Sequence, residues 1–149
     1  MKVGEICNRE VVFVDREAAI LEAAQLMRRH HVGDVVVTEE RAGIRVPVGI
    51  LTDRDIVVEL LAEQVPLEAV SVGDAMSSEL LTVSAEEEVM DVLQRMRGRG
   101  VRRAPVVAPS GALAGILAVD DLIDLIAEQL SDLVKLIGNE QQRELQRRG

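Results

Sequence analysis

GILTDRD occupies residues 49–55 of this chain, and GILAVDD occupies residues 115–121. Nearly the same seven letters written twice mark an internal duplication, with Thr52 in the first copy and Ala118 in the second. Sliding the sequence along itself by 69 residues brings Val3-Gly4-Glu5 onto Val72-Gly73-Asp74. The same offset brings Gln25, Met27, Arg28 and Val32 onto Gln94, Met96, Arg97 and Val101. Past the variable stretch 39–45 the offset falls to 66, because the first copy's loop holds three extra residues. One unit of roughly 60 residues is used twice.

Each copy repeats the same element order. A short strand comes first, at 11–14 and 81–83. An amphipathic helix follows, with Ile20, Ala23, Ala24 and Met27 matching Val89, Val92, Leu93 and Met96 at helical spacing. Asp15 offers an N-cap to the first of these helices, and Ser84 with Glu87 offers a capping box to the second. Two β-branched strands then pair as a hairpin, 34–38 with 46–51 and 104–107 with 113–117. A second helix starts near residues 53 and 120. One copy is too small to bury its own apolar faces well, so the two are expected to pack together. At the C-terminal end Leu122, Ile126, Leu130, Leu133 and Ile137 continue an apolar stripe. Gly138 is expected to break it before a polar tail. The stripe suits extra core and a docking face equally.

Composition narrows the function. Phe13 is the only aromatic residue and the formal charge is −9, which argues against base stacking and against a phosphate-backbone partner. Cys7 is the single cysteine, so no intrachain disulfide forms, and no metal site is expected. No apolar run of about 18 residues and no signal-peptide core is present, giving the expectation of a soluble cytoplasmic protein with no membrane or nucleic-acid partner. His30 and His31 end the first helix without a flanking catalytic motif, and no enzyme is expected.

The quoted junction admits two readings. T-x-x-D where a strand meets a helix is a capping-box variant, with Thr52 capping and Asp55 reaching back. The same hydroxyl and carboxylate beside helix-start amides also suit a nucleotide, phosphate near Thr52 and ribose on Asp55. In the second copy Ala118 can neither cap well nor bind phosphate. Asp120 is expected to take over as the cap, shifting that helix by about a turn.

These features resemble the paired cystathionine-β-synthase (CBS) domains, also called a Bateman module. The resemblance rests on G-h-h-T-x-x-D at 49–55, its variant at 115–121, the element order, and the stretches 31–37 and 101–107. It implies an α+β, sandwich-like fold of two tandem repeats about a pseudo-twofold axis, with clefts between them. The repeats would span 1–63 and 77–128, with 64–76 as linker and lead-in and 129–149 as a C-terminal helical extension and polar tail. It further implies a non-catalytic regulatory module that binds AMP, ADP, ATP or S-adenosylmethionine, with or without magnesium, and has no obligatory cofactor. Two such modules would form a homodimer and signal to an unidentified regulated protein. By the same resemblance Asp55 and Asp121 would hold ribose and Thr52 ribose or phosphate. Phe13 and Thr82, with their strand neighbours, would border the adenine. The segments holding Val32 and Asp34, and Val101 and Pro105, would form the facing wall. Arg102 and Arg103 would face phosphate, with basic help in the first copy coming from Arg54 or from the other unit. The alternative is a structural or interaction protein with degenerate clefts whose C-terminal helix is its working surface.

Overall fold

A computed structural model describes residues 1–148. The first copy opens with α1 (Val3–Ile6) and β1 (Phe13–Asp15), then α2 (Ile20–His30), β2 (Asp34–Arg41) and β3 (Ile44–Thr52). A π-helix (Asp55–Leu61) and a 3-10 turn (Leu67–Ala69) lead to α3 (Val72–Ala75). The second copy supplies β4 (Val83–Ser84), α4 (Val89–Arg99), β5 (Arg103–Val107), β6 (Leu113–Ala118) and α5 (Val119–Arg148). The strands form two three-stranded sheets, ordered β1-β2-β3 and β4-β5-β6. In the first, β1 runs parallel to β2 and β3 returns antiparallel. The fold is α+β, as the duplicated pattern requires. The chain divides into two compact units, Met1–Leu117 and Ala118–Gly149.

The core repeats with the sequence. Val14, Ile20, Ala23, Met27, Val35, Val37 and Leu51 are buried, and so are their counterparts Val83, Val89, Val92, Met96, Ala104, Val106 and Leu117. In the central strand β2, Val35, Val36 and Val37 are all buried rather than alternating, because both faces of the strand are covered.

The lead-in segments cross between the copies. Val72 N–H donates to Ala18 O at 2.9 Å and Gly73 N–H to Arg16 O at 2.8 Å. The symmetry mates repeat this, Val3 N–H to Glu87 O and Gly4 N–H to Ala85 O, each at 2.9 Å. Further along, Ser77 exchanges both backbone hydrogen bonds with Ile50, and Asn8 does the same with Ile116. This explains the repeated glycine. A Cβ on Gly49 would sit 2.5 Å from Met76 Sδ and 2.6 Å from Ser77 O, and one on Gly115 would sit 2.9 Å from Asn8 O.

Three local expectations are corrected. Asp15 and Ser84 do not cap α2 and α4; their side chains accept from Glu17 N–H at 2.8 Å and Glu86 N–H at 3.2 Å, closing turns ahead of each helix. The helix starts are occupied instead by the crossing chain, since Ala19 bridges Ser71 and Val89 N–H donates to Met1 O. The helix after Ala118 begins directly at Val119, so Asp120 produces no shift. Gly138 does not end α5, which runs to Arg148. A single glycine costs about 1 kcal/mol in a helix, and the polar residues after it are mostly good helix formers.

Gly49→Ala is expected to lower stability by about 1–3 kcal/mol, because Met76 Sδ can move aside but Ser77 O, at 2.6 Å, is backbone and cannot yield. Gly115→Ala should cost less. Gly98→Ala, which meets nothing within 4 Å, should stabilise α4 by roughly 0.5–1 kcal/mol. Urea unfolding midpoints of the three variants test this order.

Candidate functional site

Two sets of side chains stand at the end of the first sheet where β1 and β2 begin and β3 finishes. The polar set is built at the β3 exit. Thr52 Oγ1 accepts from Asp55 N–H at 3.0 Å, and an Asp55 carboxylate oxygen accepts from Thr52 N–H at 3.0 Å. This reciprocal box fixes the carboxylate where the strand turns into the helix. Asp34 lies opposite Thr52 in the β2–β3 register, and Asp53 N–H donates to Gly33 O at 2.8 Å. Arg103 reaches across from the second copy and forms an ion pair with Asp34. Positions 34 and 103 are equivalents at the 69-residue offset, so the two copies meet here through matching residues of opposite charge.

Burial pushes the Asp34 carboxyl above its ordinary value, and the nearby Asp53 charge acts in the same direction. The charge and hydrogen bond of Arg103 oppose that rise.

The apolar set lines a cavity of about 460 Å³, bounded by Asn8, Glu10, Val11, Val12, Phe13, Leu26, His30 and Val32. That volume lies within the ordinary range of small-molecule sites. Arg45 lies over the Phe13 ring at 4.6 Å, and its Nη1 donates to Thr38 Oγ1 at 3.1 Å. Phe13 therefore carries a cation on one face.

The sequence-derived residues divide between these sets. Phe13 and Val32 line the cavity. Thr52, Asp55, Asp34 and Arg103 gather at the junction, two residues along the chain from Val32. Arg54 is exposed and its N–H bonds to the Asp53 side chain. Arg102 is exposed, Val101 and Thr82 are half-buried, and Pro105 is buried in β5. Asp121 accepts from Ala118 N–H at 3.0 Å, keeping one half of the box that the first copy has in full. Sequence reading missed Asn8, Glu10, Val11, Leu26 and His30 as lining residues. The signal was available for two of them, since Leu26 and His30 are four apart on one face of α2. Among the described residues no group of three His, Cys, Asp or Glu side chains is arranged to hold a metal ion.

The CBS domain family model matches residues 3–62 and 72–128, which take in both junctions and both sheets. The chain belongs to the CBS domain family. An uncharacterized protein of Methanopyrus kandleri is 32% identical to this CBS protein over 125 residues, covering 84% of this chain and 62% of that one. The chain thus spans less than two thirds of that relative's length. The CBS domain-containing protein YhcV of Bacillus subtilis is 35% identical over 124 residues, covering 80% of this chain and 81% of its own. Among solved structures, a CBS domain protein from Pyrobaculum aerophilum complexed with AMP is 27% identical with a TM-score of 0.72. That match covers 82% of this chain and 90% of the other. The tandem CBS pair and its mixed fold are therefore shown.

Arg103→Met should leave a half-buried carboxylate unpaired and lower stability at neutral pH by about 2 kcal/mol. Asp34→Asn in the same chain should restore most of it. With its partner gone, the raised Asp34 pKa rises further. The folded state then holds the proton more tightly than the unfolded chain, so the deficit of Arg103→Met should shrink as pH falls through that pKa. Denaturant unfolding of the single and double variants across pH reads both effects.

Proposed function

We propose that this CBS pair is a non-catalytic regulatory module that binds an adenosine nucleotide in its first copy. The observation that carries the reading is the cavity at the approach to β1, whose lining residue Val32 lies two residues before Asp34, the register partner of Thr52. Its walls are apolar at Val11, Val12, Phe13, Leu26 and Val32, as a purine requires, and Glu10 and His30 offer hydrogen-bonding groups. A fixed carboxylate of the Asp55 type suits the vicinal hydroxyls of ribose. The AMP complex of the Pyrobaculum relative supports the same ligand class, with AMP the first to test and ADP, ATP and S-adenosylmethionine behind it.

The regulatory step would follow from differential binding. Arg103 is engaged by Asp34 in the present arrangement. A phosphate that draws the guanidinium away would loosen an ion pair that joins equivalent positions of the two copies. A ligand acting through that change can shift how the pair presents itself to a partner protein. The reading calls for no obligatory cofactor; magnesium would enter only with a polyphosphate.

Isothermal titration of the folded protein tests the proposal. AMP should bind saturably, and Asp55→Ala should weaken it at least tenfold, the effect of losing one charge-assisted hydrogen bond. Ala118→Thr should leave affinity unchanged or raise it. Failure of AMP, ADP, ATP and S-adenosylmethionine alike to bind would discard the sensor reading. Loss of binding in Asp121→Ala, with Asp55→Ala unaffected, would move the site to the second copy.

A further inference from the structure

The long helix α5 is exposed far beyond what its own chain explains. Every residue from 126 to 148 is exposed, on all faces of the helix. Helices without tertiary packing are marginal in water, so one this bare needs a cover. Its composition describes that cover. Ile123, Ile126, Leu130, Leu133 and Ile137 recur at alternating spacings of three and four, the a and d positions of a heptad, and each is between 55% and 60% exposed. Val134 and Leu136, both 63% exposed, widen the stripe. A standard interface takes about 800 Å² from each partner, and seven large side chains this exposed supply area of that order.

Charge decides between possible occupants. Residues 119–133 hold five carboxylates and no Lys or Arg, whereas residues 134–148 hold four Lys or Arg and two carboxylates. A parallel copy would set the acidic halves side by side. An antiparallel copy opposes each acidic half to a basic one and also opposes the two helix dipoles.

We infer that a second copy of this chain covers the stripe, the two α5 helices pairing antiparallel with Ile126 opposite Ile137 and Leu130 opposite Leu133. The positions flanking the seam are Ala127, Gln129, Val134 and Leu136, none of which carries a charge. Gly138 falls on the outer side, where the missing side chain costs no packing. The pairing does not depend on nucleotide binding.

The test uses the full chain with Cys7→Ser. Ala127→Cys of one copy and Val134→Cys of the other lie side by side along one edge of an antiparallel seam. Coexpressed with different tags and mildly oxidised, the two variants should form a covalent dimer joining both tags, while neither crosslinks to itself. Absence of the mixed crosslink in a chain that still self-associates would mean parallel pairing and overturn the register, because parallel helices set these two positions on opposite sides of the seam. Separately, Leu130→Glu with Leu133→Glu should weaken self-association at least 100-fold in sedimentation equilibrium while α-helix content is retained. An unchanged mass for that variant, or a wild-type chain that stays monomeric at high concentration, would show that something other than a second copy covers α5.

Discussion

The exchange of lead-in segments between the two copies is the constraint on which the rest of the molecule depends. Residues 72–77 belong to the second copy by sequence, yet they hydrogen-bond to residues 16, 18 and 50 of the first. Residues 3–8 do the same for the second copy at 85, 87 and 116. Val72 sits in one buried cluster with Val14, Ile20 and Leu51, so the first copy's core is incomplete without the second copy's opening residues. Neither copy can close alone. The glycine that opens each quoted heptad is the requirement of this crossing, because only a residue without Cβ lets the incoming backbone lie against the strand.

The same crossing delivers the junction. Gly49 fixes the line of β3, and three residues later Thr52 and Asp55 lock the strand end to the following helix. The β2–β3 register then sets Asp34 beside Thr52. A pair of identical repeats would bring two identical side chains together at the 34 and 103 positions. Two aspartates there would repel in a half-buried place, where charges interact strongly. Divergence of one copy to arginine converts that repulsion into an ion pair. It also leaves the copies inequivalent at their point of contact. The acid and base are thus a solution to packing the two copies together.

Much of this was legible in the sequence because duplication prints each structural demand twice. The strand-helix-strand-strand-helix order and the paired core positions follow from periodicity alone, whereas placing Phe13 and Val32 beside a cleft needed the family resemblance. The capping of α2 and α4 was not legible. Asp15 and Ser84 have the right chemistry for an N-cap, but the crossing chain takes that place, and a contact across more than fifty residues leaves no local signature. Glu10 was hidden for the same kind of reason, lying in an irregular approach to β1 rather than on a periodic face. Gly138 misled because one glycine is read as punctuation, whereas the helix around it has enough good formers to continue.

Ala118 sharpens the comparison between the copies. Its backbone N–H is still held by Asp121, and α5 starts at the next residue, so the helix does not need the hydroxyl in order to begin. Half a box is sufficient for the fold. In the first copy the full box closes around Asp55, where the helix is short and wound with i to i+5 hydrogen bonds such as Ala62 N–H to Val57 O. A weaker helix has more use for a second cap, and a carboxylate held from both sides is also a better-oriented acceptor. The threonine at 52 therefore serves local stability and presentation of Asp55 together. Its absence at 118 leaves Asp121 held from one side only, with the architecture intact.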